Sequence, residues 1–392
     1  MVYIEAPLIL ARTDTRDRHY PFGIKQADRL SHLYVIGKTG VGKTTLLENL
    51  VLQDINDGRG CALIDPHGDL VERVASRVPA WRRDDVVYVS VPDPKQPYSY
   101  NPLARVSADK QPLVASGLME VFEKMWGDAW GVRMEHILRN SLLTLLEQPR
   151  ATVPDILRLF SDKDFRKAAI ARITNEQVKL FWKTEFEQYN IRQRPEALAP
   201  IQNKVGAFLS DPRIHRIVAG SGTPLRLRSI MDEGRVLLIN LAKGKIGDDS
   251  SSVLGGLFVT ALGLAAYSRA DIPEDERRPF FIYIDEFQNF TTLSIANMLS
   301  ELRKFRVGMV LAHQYLAQLD PDIRHAVLGN AGTLISFRVG PEDAALLARE
   351  FEPVFLPLDL MNLPNHEIYL KLMIDGTPSR PFSAATLPSE VL

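Results

Sequence analysis

Eight apolar runs with strand character recur along the chain: LYVIG (33–37), CALID (61–65), VVYVSV (86–91), RVLLINL (235–241), FFIYID (280–285), VGMVLA (307–312), TLISFRV (333–339) and EIYLKLMI (367–374). Several are continuously apolar and rich in Val, Ile and Leu, as strands covered on both faces of a parallel sheet are. Helical patterns lie between many of them, and this alternation predicts an α/β layer architecture. The spacing breaks once. Roughly 140 residues separate VVYVSV from RVLLINL, and they read as helix after helix, among them LVASGLMEVFEKMW, MEHILRNSLLTLLE, VPDILRLF and LAPIQNKVGAFL. Pro102, Pro112, Pro149, Pro154, Pro195, Pro200 and Pro212 punctuate this stretch at expected helix starts or breaks. The pattern predicts a sheet domain built from residues 1–104 and 226–392, interrupted by an all-α insert at 105–225.

Composition agrees with this plan. The chain has 392 residues, 45% hydrophobic and 24% charged, enough to bury a sizeable core. A net charge of −1 means that nucleic-acid binding has to come from a local basic surface. The single cysteine, Cys61, excludes an internal disulfide, suits a reducing cytosol and reads as a core residue. The N-terminus lacks a leader pattern, and no apolar window reaches the ~18 uninterrupted residues of a membrane span. The closest, residues 252–268, is rich in Gly and Ala and reads as a buried helix. The expectation is a cytoplasmic protein that reaches the inner face of a membrane through partners.

The first strand runs into GKTGVGKTT. Gly37, Gly42, Lys43 and Thr44 fit G-x-x-x-x-G-K-[ST], with a strand before the loop and a helical pattern after it. Glycines let backbone N–H groups curl around a phosphate, and the helix N-terminus adds favourable partial charge. In this Walker A loop Thr39, Gly40 and Val41 complete the phosphate cradle. Lys43 is the residue for the β- and γ-phosphates of ATP, Thr44 is a ligand for Mg²⁺, and Thr45 follows at the helix start with the weaker claim. FFIYIDEFQNF ends a buried strand on two acids, the Walker B form. Asp285 is expected to hold Mg²⁺ through water and Glu286 to act as general base on the attacking water. A glutamate here favours a hydrolysing motor over a switch GTPase. The guanine-reading Asn-Lys-x-Asp is missing, since Asn203-Lys204-Val205-Gly206 lacks the aspartate.

Taken together, GKTGVGKTT, IDPHGDL (64–70), YNPL (100–103), IDEFQNF (284–290), ELRKF (301–305) and LAHQYLAQL (311–319) resemble the type IV coupling proteins, conjugative DNA-transfer ATPases of the HerA–FtsK superfamily. The resemblance runs from about residue 20 to 375, and the order and spacing of the motifs carry it. It implies a RecA-like P-loop NTPase sheet with helices on both faces and an all-α domain between the Walker motifs. It also implies a hexameric ring that passes DNA, with a single strand as the expected form, and partners such as a relaxase and type IV secretion components. It aligns Arg303 with the arginine presented to a neighbouring subunit's ATP, with Arg306 and Arg338 as fallbacks. The chain departs from the family in lacking N-terminal membrane helices, and it has no room for the β-barrel of HerA proper. A HerA-like motor in DNA-end processing or defence is the nearest alternative; a P-loop kinase, a nucleotide switch and an ATP-binding scaffold stand further off.

Several residues keep two readings at this stage. Ile295, Met298, Leu299 and Leu302 share one helical face, with Arg303 flanking it near the end, where a basic residue also suits the helix dipole. Gln314 follows the next strand, placed to sense the γ-phosphate or order water, with His313 as its support. Asp65 belongs either to the nucleotide-binding edge or to a turn, and a metal site with His67 and Asp69 is disfavoured by their crowding. Lys243 and Lys245 either track a DNA backbone or sit in a solvated turn beside Asp248 and Asp249. Trp126, Trp130, Phe181 and Trp182 either stack bases or, as the stronger reading, pack helices. The segment from Phe22 to His32 is a candidate for the adenine pocket.

Overall fold

The computed structural model describes residues 6–14, 19–104, 106–127, 130–189, 193–220 and 222–388. The chain divides into two compact units, one of Met1–Ser90, Arg226–Lys245 and Leu262–Leu392, the other of Val91–Leu225 and Ile246–Ala261.

The first unit is built on an eleven-stranded sheet. Its strands are β1 (Leu8–Thr13), β2 (Pro21–Ile24), β3 (Leu33–Ile36), β4 (Gly60–Asp65), β5 (Val86–Ser90), β6 (Val236–Asn240), β7 (Phe280–Ile284), β8 (Val307–His313), β9 (Thr333–Ser336), β10 (Glu367–Lys371) and β11 (Phe382–Thr386). Their order across the sheet is β2-β1-β11-β10-β9-β3-β8-β7-β4-β6-β5. From β9 to β5 every neighbouring pair is parallel. All residues of β3, β4, β6, β7, β8 and β9 are buried, which explains their unbroken apolar character. Helices Lys43–Asn56 and Asp69–Ser76 return the chain between parallel strands, and Leu46, Leu47, Leu50, Val51, Leu70 and Val74 pack into one core with Val35, Leu63 and Ile335.

The remaining four strands form an antiparallel flank, β10 on β9, β11 on β10, β1 on β11 and β2 on β1. Of these the sequence pattern predicts only β10. β2 has four residues with one buried, and β11 reads FSAAT with only alternate positions buried. A half-buried strand of small and polar residues carries little hydrophobic signal, so pairing decides its conformation more than composition does.

Register fixes what lies at the carboxyl ends. His313 pairs with Ile36, and Ile284 pairs with both Leu311 and Ile64. Gly37, Gln314, Asp285 and Asp65 therefore follow at one edge of the sheet. Chain leaving the amino ends, including His32 and Arg306, lies at the opposite edge.

Among its described residues the second unit is helical apart from a two-residue parallel pair, Tyr98–Ser99 with Thr223–Pro224. Its helices include Gln111–Trp126, Val132–Leu146, Gln193–Ser210 and Pro212–Val218. Pro112 and Pro212 stand at helix starts, whereas Pro200 lies inside Gln193–Ser210. This unit extends beyond the expected 105–225, taking in 91–104 and 246–261. The rings of Tyr100 and Phe258, 5.5 Å apart, join those two additions, a contact that no local pattern announces. Trp126 stacks on Phe122, Phe181 is buried, and buried Trp182 donates its indole N–H to Thr144 Oγ1 at 2.7 Å. These three aromatics pack helices. Trp130 is half-buried, 6.3 Å from the Trp126 ring. The apolar run at 252–268 is helical as far as Tyr267, within Asp248–Tyr267. It is long and apolar enough to cross a membrane by length and composition, and 72% of its most apolar window is buried.

A wholly buried ion network braces the sheet. Asp54, near the end of the helix that follows the glycine-rich loop, accepts from Arg29 at 2.6 and 2.8 Å, from Arg59 at 2.7 Å and from the Tyr283 hydroxyl at 2.6 Å. Arg29 also lies over the Phe281 ring at 3.4 Å. The turn before β3, that helix and the middle of β7 are thereby tied together. Removing the carboxylate leaves Arg29 buried with the neutral acceptors Gln26 and Tyr283, and Arg59 with Asp57 as its remaining ion-pair partner. Asp54→Ala is expected to cost about 3–5 kcal/mol of unfolding free energy, read by denaturant titration; a loss below about 1 kcal/mol would contradict the bracing role.

Candidate functional site: a phosphate loop facing an acidic strand end

The loop after β3 is closed by its own lysine. Lys43 is only 6% exposed, and its Nζ donates to the carbonyls of Gly37 at 2.6 Å and Lys38 at 2.9 Å. Burial lowers the Lys43 pKa, while Glu286 and Asp285 oppose that shift by favouring the charged form. Two glycines are structurally required. A Cβ on Gly37 would stand 2.5 Å from Phe337 Cβ, and Gly42, with φ of 118°, would carry its Cβ 2.9 Å from His366 Nδ1. Lys38, Thr39 and Gly40 are exposed at the loop crest, and Gly40 has φ of 78° with open space around it. Thr44 and Thr45 are half-buried in the first turn of helix Lys43–Asn56.

The acidic residues face this loop. Asp285 is 5% exposed, and its carboxyl is pushed up to about 7, first by burial, then by the charges of Asp65 and Glu286. Lys43 and a hydrogen bond from the Glu286 N–H to Asp285 Oδ1, at 3.0 Å, act in the opposite direction. Glu286 has φ of 48°, a left-handed conformation rare outside glycine. Its Oε1 accepts from Gln314 Nε2 at 2.7 Å, and Gln314 Oε1 accepts from the Thr39 hydroxyl at 3.1 Å. A hydrogen-bonded chain thus runs from the loop crest through Gln314 to Glu286. The other Glu286 oxygen, Oε2, accepts from Gln288 Nε2.

Asp65 ends β4 at the carboxyl edge and builds the turn that follows. It accepts from the backbone N–H groups of His67, Leu70 and Val71 at 2.8, 2.9 and 3.1 Å, capping the following helix, while its charge raises Asp285. No group of three or more His, Cys, Asp or Glu side chains arranged for a metal ion is present among the described residues. The oxygen donors available for a hard cation are the Thr44 hydroxyl and the Asp285 carboxylate, which suit Mg²⁺ in type. His313 is fully buried and held neutral, its pKa lowered to about 3 by burial and by Lys43. It meets the Tyr34 hydroxyl at 3.1 Å and packs against Phe287.

The three arginine candidates separate. Arg303 is exposed in the turn Leu302–Phe305, at the amino edge of the sheet, with no ion pair among the described residues. It borders a cleft of about 380 Å³ with His32, Leu299, Leu334 and Lys371. Arg306, with φ of 54°, donates to the Asp275 carbonyl at 3.4 Å. Arg338 lies beside its own phosphate loop, where its carbonyl accepts from the Lys38 N–H and its guanidinium binds the Leu363 carbonyl and Asn365. Lys243 and Lys245 stand in a short helix after β6, at the carboxyl edge, the Lys243 N–H bonded to the Pro66 carbonyl. The Phe22–His32 segment does not gather near the loop: Phe22 packs on Phe382, Arg29 joins the Asp54 network, and His32 hydrogen-bonds Leu299 and Met309.

Sequence reasoning did not single out Gln288, Phe337 or His366. Gln288 lay within a quoted motif, but no spacing rule marks it. Phe337 and His366 touch the loop only through sheet pairing.

No family model and no curated protein matches the chain. Solved structures do. The bacterial conjugative coupling protein TrwB, in its TrwBdeltaN70 form, is 18% identical with a TM-score of 0.67, over 94% of this chain and 87% of that one. The fold is that of a coupling protein. TrwB in complex with ADP and Mg²⁺ matches at 18% identity and a TM-score of 0.67, over 93% of this chain and 87% of that one. VirB4 of Thermoanaerobacter pseudethanolicus is 13% identical, also with a TM-score of 0.67, over 99% and 98% of the two chains. The expected RecA-like sheet with a helical insert is therefore the coupling-protein fold observed.

The crowded acids of this coupling-protein fold carry a stability cost. Asp285 ionises near pH 7 in the folded chain against 3.8 ordinarily. Its contribution is fully present below about pH 4 and is lost as pH rises towards 7, because the unfolded chain gives up the proton first. The loss is on the order of 4 kcal/mol. Asp285→Asn is expected to make the nucleotide-free protein more stable at pH 8 and to flatten the decline between pH 5 and 8. Denaturant titrations at both pH values read this, and an unchanged decline would contradict it.

Proposed function

We propose that the protein is an ATPase of the type IV coupling kind, driving DNA through a ring of its own copies. The observation that supports this best is the hydrogen-bonded chain Thr39–Gln314–Glu286, which joins the phosphate loop to the acid at the end of the next strand but one. A loop that only bound nucleotide would not need a glutamate and a glutamine aimed at its crest.

In this reading the loop backbone from Gly37 to Thr45 cradles the phosphates of ATP, and Lys43 turns from the Gly37 and Lys38 carbonyls to the β- and γ-phosphates. The Thr44 hydroxyl and, through water, Asp285 would hold Mg²⁺, whose charge would offset the phosphates and the acid cluster. Glu286 takes a proton from the attacking water as its oxygen bonds to the γ-phosphorus. The bond from that phosphorus to the bridging oxygen breaks, and ADP leaves with the electron pair. Gln314 orients the water or the γ-phosphate. Arg303 stands at the edge of the sheet opposite its own loop, so in this reading it serves a neighbouring copy's ATP, and a closed ring repeats that interface. Lys243 and Lys245, at the carboxyl edge, contact the DNA backbone without reading sequence.

ATP turnover is expected to rise when single- or double-stranded DNA is added, with a native mass above the monomer. Lys43→Ala and Arg303→Ala are each expected to lower kcat by about 10²–10³-fold, while a mixture of the two recovers part of the rate at interfaces that pair an intact loop with an intact arginine. A monomer indifferent to DNA would overturn the translocase, and full activity of Arg303→Ala would overturn that residue's role.

A further inference from the structure

Glu286 has both carboxylate oxygens occupied, Oε1 by Gln314 and Oε2 by Gln288. A general base needs one oxygen open to water and the other fixed. The two amides are not equivalent. Gln314 is bonded to Thr39 at the loop crest, where a nucleotide's terminal phosphate lies, so nucleotide binding disturbs that link. Gln288 belongs to the turn Phe287–Asn289, which follows the strand end that carries Glu286 and is not part of the loop. That turn is anchored from two sides. Phe287 is fully buried and packs edge-on against His313 and Tyr34, with ring centres 4.9 and 6.2 Å away. The Thr291 hydroxyl donates to the Gln288 carbonyl at 3.1 Å. The left-handed backbone at Glu286 brings its side chain and that of Gln288 together, although only one residue separates them.

We propose that Gln288 is a positioning residue for hydrolysis: it keeps hold of Glu286 Oε2, so that Oε1, released when Gln314 turns to the γ-phosphate, points at the attacking water. The proposal rests on Glu286 being the general base. It assigns Gln288 no contact with ATP and no proton. Without it the carboxylate rotates freely, and only a fraction of its orientations is productive.

The test uses the full chain with Mg-ATP and DNA. Gln288→Met keeps the side-chain length and removes the donor. It is expected to lower kcat about tenfold, with KM for ATP and affinity for a non-hydrolysable ATP analogue within about twofold of the parent. Added to Glu286→Gln, it is expected to cause no further loss, because its effect passes through the carboxylate. Gln288→Lys, which keeps an N–H donor, is expected to retain more activity than Gln288→Met and serves if Gln288→Met does not fold. Parental kcat in Gln288→Met, an equal tenfold loss in the Glu286→Gln background, or Gln288→Lys as impaired as Gln288→Met would each overturn the proposal. If Glu286→Gln itself retains full hydrolysis, the general-base reading fails instead, whatever Gln288 does.

Discussion

A buried ammonium resting on two backbone carbonyls sets the terms for everything around it. Lys43 closes the loop by bonding Gly37 and Lys38, and a cation in that position is tolerable only with acids nearby. Asp285 and Glu286 supply them from the next strand but one, and each favours the charged lysine. The loop in turn needs glycine at 37 and 42, because Phe337 after β9 and His366 at the start of the antiparallel flank press against it. The flank, which looks peripheral in the strand order, forms one wall of the loop.

The same edge carries more negative charge than the lysine balances. Asp65, Asp285 and Glu286 are close enough that Asp285 prefers its proton near neutrality. Such crowding is unfavourable in the empty protein and becomes useful once a divalent cation shares the site, the usual exchange of stability for function. The rest of the sheet tolerates it because the strands are braced elsewhere. Tyr283, two residues before Asp285, hydrogen-bonds Asp54, which lies on the helix that Lys43 begins. One buried carboxylate therefore fixes both chains whose ends meet at the loop.

The glycine-rich loop, the acidic strand end and the glutamine were legible in the sequence because each follows a continuous apolar strand, and parallel strands deliver their carboxyl ends to one edge. Other features depend on contacts that no local pattern encodes. β2 and β11 are only partly buried, and pairing rather than hydrophobicity makes them strands. Residues 91–104 join the helical unit through Tyr100 meeting Phe258, far along the chain. Gln288 reaches Glu286 only because Glu286 adopts a left-handed backbone, which a non-glycine residue gives no reason to expect.

Strand direction also bears on the arginine. β8 spans seven residues, so Arg306 before it and Gln314 after it are about 26 Å apart. Arg303 precedes Arg306 and shares its edge of the sheet. That separation is several times the reach of an arginine side chain, so Arg303 is out of range of the loop in its own chain. An ATP that it touches has to belong to another copy. Arg338 is confined in the opposite sense, bonded beside its own loop. Under the proposed function β8 therefore has a different ATP at each end: the neighbour's beyond its amino end and its own at Gln314. A shift of this one buried strand, or of the helix and turn that lead into it, would be felt at both sites. Rigid coupling of that kind is what a ring needs if its subunits are to fire in relation to one another.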